Sequence, residues 1–590
     1  MIARLTAANT IGFAFALSVL TCALAQGQDD RLAVGLASHA FDHLGNIGDQ
    51  AETAAACGAN VIYAGGFGSL GYEGLPPPAR LDRAAADIAD YGRRARAAGA
   101  RVLIGYVCGT SIVKLDTFDR NWTPAFRAQF KTPPGQWLQR GRDGNALPSW
   151  YGSDYRPACM NNPDWRTYEK QLVRLTLDAG YDGVFFDNPT VHPDGCCCEH
   201  CLRKFAGFIA AGDAQTAPID TLRELPQKHP RDFLRFRATI AADFLAEMRS
   251  FARSINPKAI ITCNNSLNSP DAFYSQCRTY GYDIFEMSKA EDLVVVEDMA
   301  TQPRMAADGS IVEYAPVYEM LRAIARGKPI VAVTLAEGDY HTPPNLARLA
   351  MAEAAAHGAS YMLWPTWPAE VREKMTAAIR PEADFLREHA DLLNAQPPPD
   401  AVLLLLPFEQ WLDRTDCPQL ATARTLVKEN VPFRVVTVDD LDAALNTNHE
   451  SVVVADARFD HTKHAGVTAV DASKPDWLAE LRKHLHDQAI AMPSPVELIS
   501  APATTRLVVR QTLDQRTVVH LLNLNVLRIS SFEDRVTPAE HVRLRIRGHK
   551  GTRVTAYTAD AGGASGAMQM DADGNVTIER VELSTILVID

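Results

Sequence analysis

Three carboxylates stand where short apolar stretches of this sequence run out. Asp187 follows Val184–Phe186, Glu297 follows the run LVVV from Leu293, and Glu337 follows VAVTLA from Val331. Amides and an indole end comparable stretches: Asn188 directly after Asp187, Asn264 and Asn265 after Ile260–Cys263, and Trp364 after Tyr361–Leu363. His39 and Asp42 lie just past the first such stretch. Two carboxyl groups flanking one bond divide the work of proton donor and nucleophile or base, which is the chemistry of glycosidic bond cleavage. One of the pair then needs a raised pKa to serve as acid. Asp-Asn-Pro is also good turn chemistry, and a single strand-end acid is more commonly a cap or an ion-pair partner. Three on one scaffold are harder to dismiss, although one of them is expected to be structural.

A second constellation is built from thiols. Cys196, Cys198 and Cys201 form Cys-x-Cys-x-x-Cys, with Cys197 interposed, and Cys159 lies upstream in RPACMNNPDWR. Four thiolates at short spacing wrap a tetrahedral ion, and zinc in such a closed set is structural, with no open position for catalysis. The competing reading is one or two disulfides, although cysteines this close are poorly placed to bridge one another. His192 and His200 are substitute ligands. The cluster would pin the preceding loop against the strand that carries Asp187.

The elements that must position these groups recur as a cycle of helix, glycine and short apolar strand between Leu32 and about His389. Instances are CGAN-VIYAGG, AAGA-RVLIGYV, DAGYD-GVFFD and HGAS-YMLW. Glycine after a helix end is a C-terminal stop, and uniformly apolar strands alternating with helices predict a parallel sheet covered on both faces. The pattern predicts strands near Leu32–Ala37, Val61–Tyr63, Val102–Tyr106, Val184–Phe186, Ile260–Cys263, Leu293–Val296, Ile330–Leu335 and Tyr361–Leu363. Eight strands over this length predict an α/β fold, a (β/α)8 TIM barrel. A doubly wound open sheet is the alternative, but GLASHAFDHLG after the first strand lacks the dinucleotide-binding glycines. The longest insertion, Gly109 to Asp164, carries Trp122, Trp137, Trp150, Tyr151, Tyr155 and Arg156, residues suited to a site wall or to anchoring the loop itself.

Beyond the barrel (residues 26–395), the stretch QPPPD from Gln396 is a stiff linker. Residues 396–495 then read as a small flavodoxin-like α/β unit, and 496–590 as a C-terminal antiparallel β-sandwich of alternating strands. The chain has 590 residues, 47% hydrophobic and 22% charged, ordinary for globular protein. Residues 1–25 read as a signal peptide: Arg4, an apolar run, then Ala23-Leu24-Ala25. A secreted or periplasmic location follows. Thr21 before Cys22 is a poor lipoprotein signal. Losing Arg4 moves the formal net charge from −12 to −13, which argues against nucleic acid or anionic membrane and suits a neutral substrate. No organic cofactor is expected, and a homo-oligomer is left open.

Together, RPAC…NPDWR at Arg156–Arg166, the cysteines at 196–201 and LARLAMAEAAAHGASYMLWPTW at Leu346–Trp367 resemble the family 42 β-galactosidases and their barrel relatives among the glycoside hydrolases. That resemblance implies the same domain order and zinc on Cys159, Cys196, Cys198 and Cys201. The family carries Asn-Glu at the end of its fourth strand, with the Glu as acid/base, and a nucleophilic Glu at the end of the seventh. Here the fourth strand ends in Asp187-Asn188, so that acid/base Glu is missing, while Glu337 falls near the nucleophile's place. Galactosidase activity therefore does not carry over. The expectation is a secreted glycoside hydrolase using Asp187 with Glu297 or Glu337, with His39, Arg156, Asn188, Asn264, Asn265 and Trp364 contacting carbohydrate. The alternative is a catalytically lapsed barrel that binds carbohydrate.

Overall fold

A computed structural model describes residues 35–40, 50–149, 152, 154–211, 216–265, 273–298, 301–399, 401–445, 451–464, 466–487, 496–548 and 552–590. The signal segment, Asp42, Trp150 and Tyr151 lie outside them. Among the described residues no helix is long and apolar enough to cross a membrane.

Eight parallel strands form one sheet: β1 Leu36–Ala40, β2 Val61–Ala64, β3 Val102–Cys108, β4 Gly183–Asp187, β5 Ile260–Cys263, β6 Val294–Asp298, β7 Ile330–Thr334 and β8 Ser360–Leu363. Their order is β5-β4-β3-β2-β1-β8-β7-β6. The open ends meet through a parallel bridge, Asn264↔Val295, so β5 and β6 close the ring. The expected barrel is thus present and the open sheet is not. His39 lies within β1, opposite Tyr63, rather than beyond it.

Each strand alternates faces. One set, including Tyr63, Ile104, Phe185, Val295 and Val333, packs together inside the barrel. The other, including Ile62, Leu103, Val184, Phe186 and Ile261, packs outward against the helices. Helix α1 (Pro78–Ala97) leads to β3 and α2 (Pro163–Asp178) to β4, and α3 (Glu199–Phe208) and α4 (Pro230–Ile255) precede β5. Helix α2 starts sharply because the Asn162 side chain accepts from Asp164 N (2.8 Å) and Trp165 N (3.2 Å). It stops at Gly180, whose φ of +87° reverses the chain into β4.

Residues 402–471 hold a four-stranded parallel sheet, and residues 496–589 hold a three-stranded and a five-stranded antiparallel sheet. The last unit docks on helices α5 (Ala315–Ala325) and α6 (Pro344–Ala356) of the barrel. There the buried Arg510 binds Glu319 and donates to Ala356 O at 2.9 Å. Arg506 pairs with Glu313 at 2.7 Å. One connection had no signature in the pattern. The C-terminal strands Val526–Arg528 and Asp534–Val536 extend a hairpin, Arg304–Met305 with Ile311–Val312, that belongs to the β6–α5 connection.

Candidate active site

Phe185 and Asp187 share the inner face of β4. Phe185 packs against Tyr63 and Tyr106 with centroids 5.6 and 5.8 Å apart, and Asp187 continues that row into the barrel mouth, where β-strand carboxyl ends collect polar groups. Tyr72, ending the short helix Gly68–Tyr72, donates to Asp187 Oδ2 at 2.8 Å, and its oxygen lies 2.7 Å from that of Tyr106. Asn188 Nδ2 donates to Asp187 Oδ1 at 2.9 Å. Removal from water, then the Asp187 charge, pushes the Tyr72 phenol well above its usual range, so it remains a donor.

The turn that exposes this carboxylate is propped from below. Asn188 adopts φ +46°, a left-handed conformation that asparagine tolerates better than most residues. Its carbonyl accepts from Thr110 Oγ1 (2.8 Å) and its side-chain oxygen from Tyr282 (3.1 Å). Gly109 passes so close to the Asp187 carbonyl that a Cβ there would sit 2.3 Å from the oxygen. A side chain at 109 would push the β3 end away from the β4 end.

β6 delivers the second carboxylate by the same alternation. Val295 and Glu297 face inward, whereas Asp298 is fully buried on the other face with the Thr301 hydroxyl on it. Asn264, at the end of β5, donates to Glu297 Oε2 at 2.9 Å, and Tyr340 donates to Oε1 at 2.6 Å. The Tyr340 ring stacks on Trp364 at 3.9 Å between centroids. Asp187 and Glu297 therefore enter one mouth from β4 and β6, with β5 between them, each held by neutral donors.

The other expected site residues make different contacts. Glu337 lies in a tight turn after β7, bridged Ala336↔Asp339, with φ +59°, its side chain 71% exposed and 3.8 Å from Arg528. Asn265 faces outward and is fully buried, donating to Glu291 and to Val295 O at 3.0 Å each, so it cannot reach a ligand in the mouth. Arg156 lies in a two-stranded ribbon, Ser111–Val113 with Tyr155–Pro157, and donates to Tyr155 O. The His39 side chain lies outside the described residues. Trp122 and Trp137 anchor the long insertion: Trp122 stacks on both Trp137 and Tyr168, and Trp137 is fully buried.

The four cysteines do converge. Sγ atoms of Cys159, Cys196, Cys198 and Cys201 all lie within 4.8 Å of one another, and all four residues are buried. Cys159 is 3.4 Å from Cys201 and 3.5 Å from Cys198, and none is disulfide-bonded. Zinc–sulfur bonds of about 2.3 Å in a tetrahedron place sulfurs about 3.8 Å apart, so the set fits a four-coordinate metal ion. Cys198 is the N-cap residue of α3 (Glu199–Phe208) and Cys201 lies in its first turn, while Cys159 belongs to the insertion. Asn161 Nδ2 points at Cys201 Sγ from 3.3 Å. His192 and His200 are not part of the cluster.

Sequence reasoning did not identify Tyr72, Tyr106, Tyr282 and Tyr340. Tyr340 carried the only usable signal, a tyrosine in the loop after a strand with a candidate acid. The others reach the site by folding alone.

Residues 213–389 match the family described as β-galactosidase, glycoside hydrolase family 42. No curated protein matches the chain. Solved structures with this fold include α-L-fucosidase isoenzyme 2 from Paenibacillus thiaminolyticus (TM-score 0.60, 11% identity, covering 94% of this chain and 99% of that one). A β-galactosidase from Bacillus circulans sp. alkalophilus gives TM-score 0.58 at 13% identity over 93% and 99%. A family 42 β-galactosidase from G. stearothermophilus gives 0.58 at 11% over 93% and 98%. The structures carry the fold, and the family match supports a glycoside hydrolase whose specificity stays open. By both measures this chain resembles the family 42 β-galactosidases and related glycoside hydrolases.

Proposed function

We propose that this protein is a secreted or periplasmic glycoside hydrolase that cleaves a neutral oligo- or polysaccharide with Asp187 and Glu297 as its carboxylate pair. The observation that carries this reading is that both acids face the same barrel mouth, each gripped by a tyrosine hydroxyl and an amide. These donors fix the orientation of each carboxylate, whose charge would stabilise a developing oxocarbenium ion. The same charge would repel sulfated or uronic sugars. Trp364 with Tyr340 supplies an aromatic wall for the sugar ring. Asn188 and Asn264 orient the acids.

The cysteine cluster is proposed as a structural zinc site. Cys159 and Cys198 would hold the aromatic insertion to the start of α3, and so would support the loop that begins at Asp187. With four thiolates there is no open position for substrate.

Hydrolysis of a panel of aryl glycosides and natural oligosaccharides tests the assignment, with Asp187→Asn, Glu297→Gln and Glu337→Gln run in parallel. The expected result is cleavage of one sugar type, lost by orders of magnitude in the first two variants and largely kept in the third. Sugar binding without cleavage, alike in all variants, would instead make this a carbohydrate-binding barrel.

A further inference from the structure

Glu297 is held from one side by Asn264, a residue of the barrel, and from the other by a loop the barrel does not hold alone. Ala336–Thr342, after β7, sends its side chains two ways. Tyr340 turns to Glu297 and Trp364. Asp339 and His341 turn to the C-terminal hairpin, where the Arg528 guanidinium binds the Asp339 carboxylate and Ser531 Oγ donates to it at 2.7 Å. Phe532 packs against the His341 ring at 5.4 Å, and Arg528 also approaches Glu337. The hairpin has its own anchorage. Asp534 accepts from Asn345 N at 2.8 Å and Leu346 N at 3.1 Å, capping α6, and Leu527 pairs with Met305.

From these contacts we propose that Arg528 is a positioning residue for the barrel site: by fixing Asp339 it holds the Tyr340 hydroxyl on Glu297 and the Tyr340 ring on Trp364. The assignment rests on the reading of Glu297 as catalytic. A guanidinium–carboxylate contact is directional and charge-assisted, so it fixes the loop backbone one residue from Tyr340. Without it, a seven-residue segment past the end of β7 gains freedom, and a displacement of about 1 Å at a catalytic group can cost about a hundredfold in rate. The C-terminal unit thereby takes part in catalysis while touching no reacting atom.

The test uses the full mature chain and two measurements: hydrogen–deuterium exchange of residues 336–342, and steady-state kinetics on the aryl glycoside the wild type cleaves best. Arg528→Ala is expected to raise exchange in 336–342 severalfold while β4–β6 keep their protection. It should lower kcat about ten- to hundredfold with KM within about threefold. Arg528→Lys should recover part of both. Arg535→Ala, which removes an exposed cation from the same hairpin without touching the loop or the hairpin's anchorage, should leave exchange in 336–342 and kcat near wild type. Unchanged exchange in Arg528→Ala, or an equal effect of Arg535→Ala, would overturn the proposal. Glu297→Gln with wild-type kcat would instead remove the catalytic reading, and the exchange data would still decide whether Arg528 anchors the loop.

Discussion

Tyr340 donates its hydroxyl to Glu297 at 2.6 Å across the barrel mouth, while its ring lies 3.9 Å from that of Trp364. One side chain thus couples a β6 carboxylate to the aromatic wall at the end of β8. Hydrogen bonds to charged groups contribute about 1.5–3 kcal/mol. Tyr340→Phe keeps the stacking and loses the bond, so kcat should fall roughly ten- to hundredfold with little change in melting temperature. Steady-state kinetics beside a thermal melt measure both. A wild-type kcat would mean the bond does not matter to the reaction.

On the opposite side, Tyr72 and Asp187 make the corresponding contact at 2.8 Å. Asp187→Asn removes the charge and should lower kcat at least a thousandfold, whereas Tyr72→Phe removes one donor and should cost about tenfold. The double variant should be no worse than Asp187→Asn alone, because the phenol acts through that carboxylate. Additive losses would show that Tyr72 has a separate role.

For the thiol cluster, the purified protein is expected to carry about one zinc per chain by elemental analysis. Replacing a single ligand, as in Cys201→Ser, should release the metal and lower the melting temperature by about 5 °C or more. Cys197→Ser, beside the cluster but outside it, should retain the metal. Full metal content in Cys201→Ser would refute the four-cysteine assignment.

Stability should also depend on pH in a definite direction. Burial pushes Asp283 and Glu291 up to about 7, and burial with the nearby Glu313 charge pushes Glu353 up to about 8. In the unfolded chain these groups ionise near their ordinary values, about 4. The folded state therefore binds more protons in between, and its stability falls as pH rises through 7 and 8. The buried histidines work the other way only below their unfolded pKa, about 6.5: burial lowers His520 to about 3, so folding loses stability on acidification there. Between pH 6.5 and 8.5 the carboxyls dominate, and the melting temperature should decline. Glu353→Gln should flatten that decline; a melting temperature that rises across the window would contradict it.

The sequence alone determined the architecture of the barrel and the membership of its four-cysteine cluster. Both are local in origin. Helix–glycine–strand cycles repeat through the chain, each apolar strand is long enough to be recognised, and three of the four thiols fall within six residues. The apolar runs also placed Asp187 and Glu297 at strand ends. Tertiary structure decided what those ends face. Asn264 and Asn265 are neighbours in sequence, yet pleating sends one to Glu297 in the mouth and the other to the buried Glu291 behind the sheet. Glu337 also follows an apolar run, and a turn with positive φ brings it to Arg528, a residue of the C-terminal hairpin. Tyr72, Tyr282 and Arg528 come from 115 residues before Asp187, 94 residues after Asn188 and 189 residues after Asp339 respectively. No local pattern marks such partners, because barrel closure and docking of the C-terminal sheets set those distances.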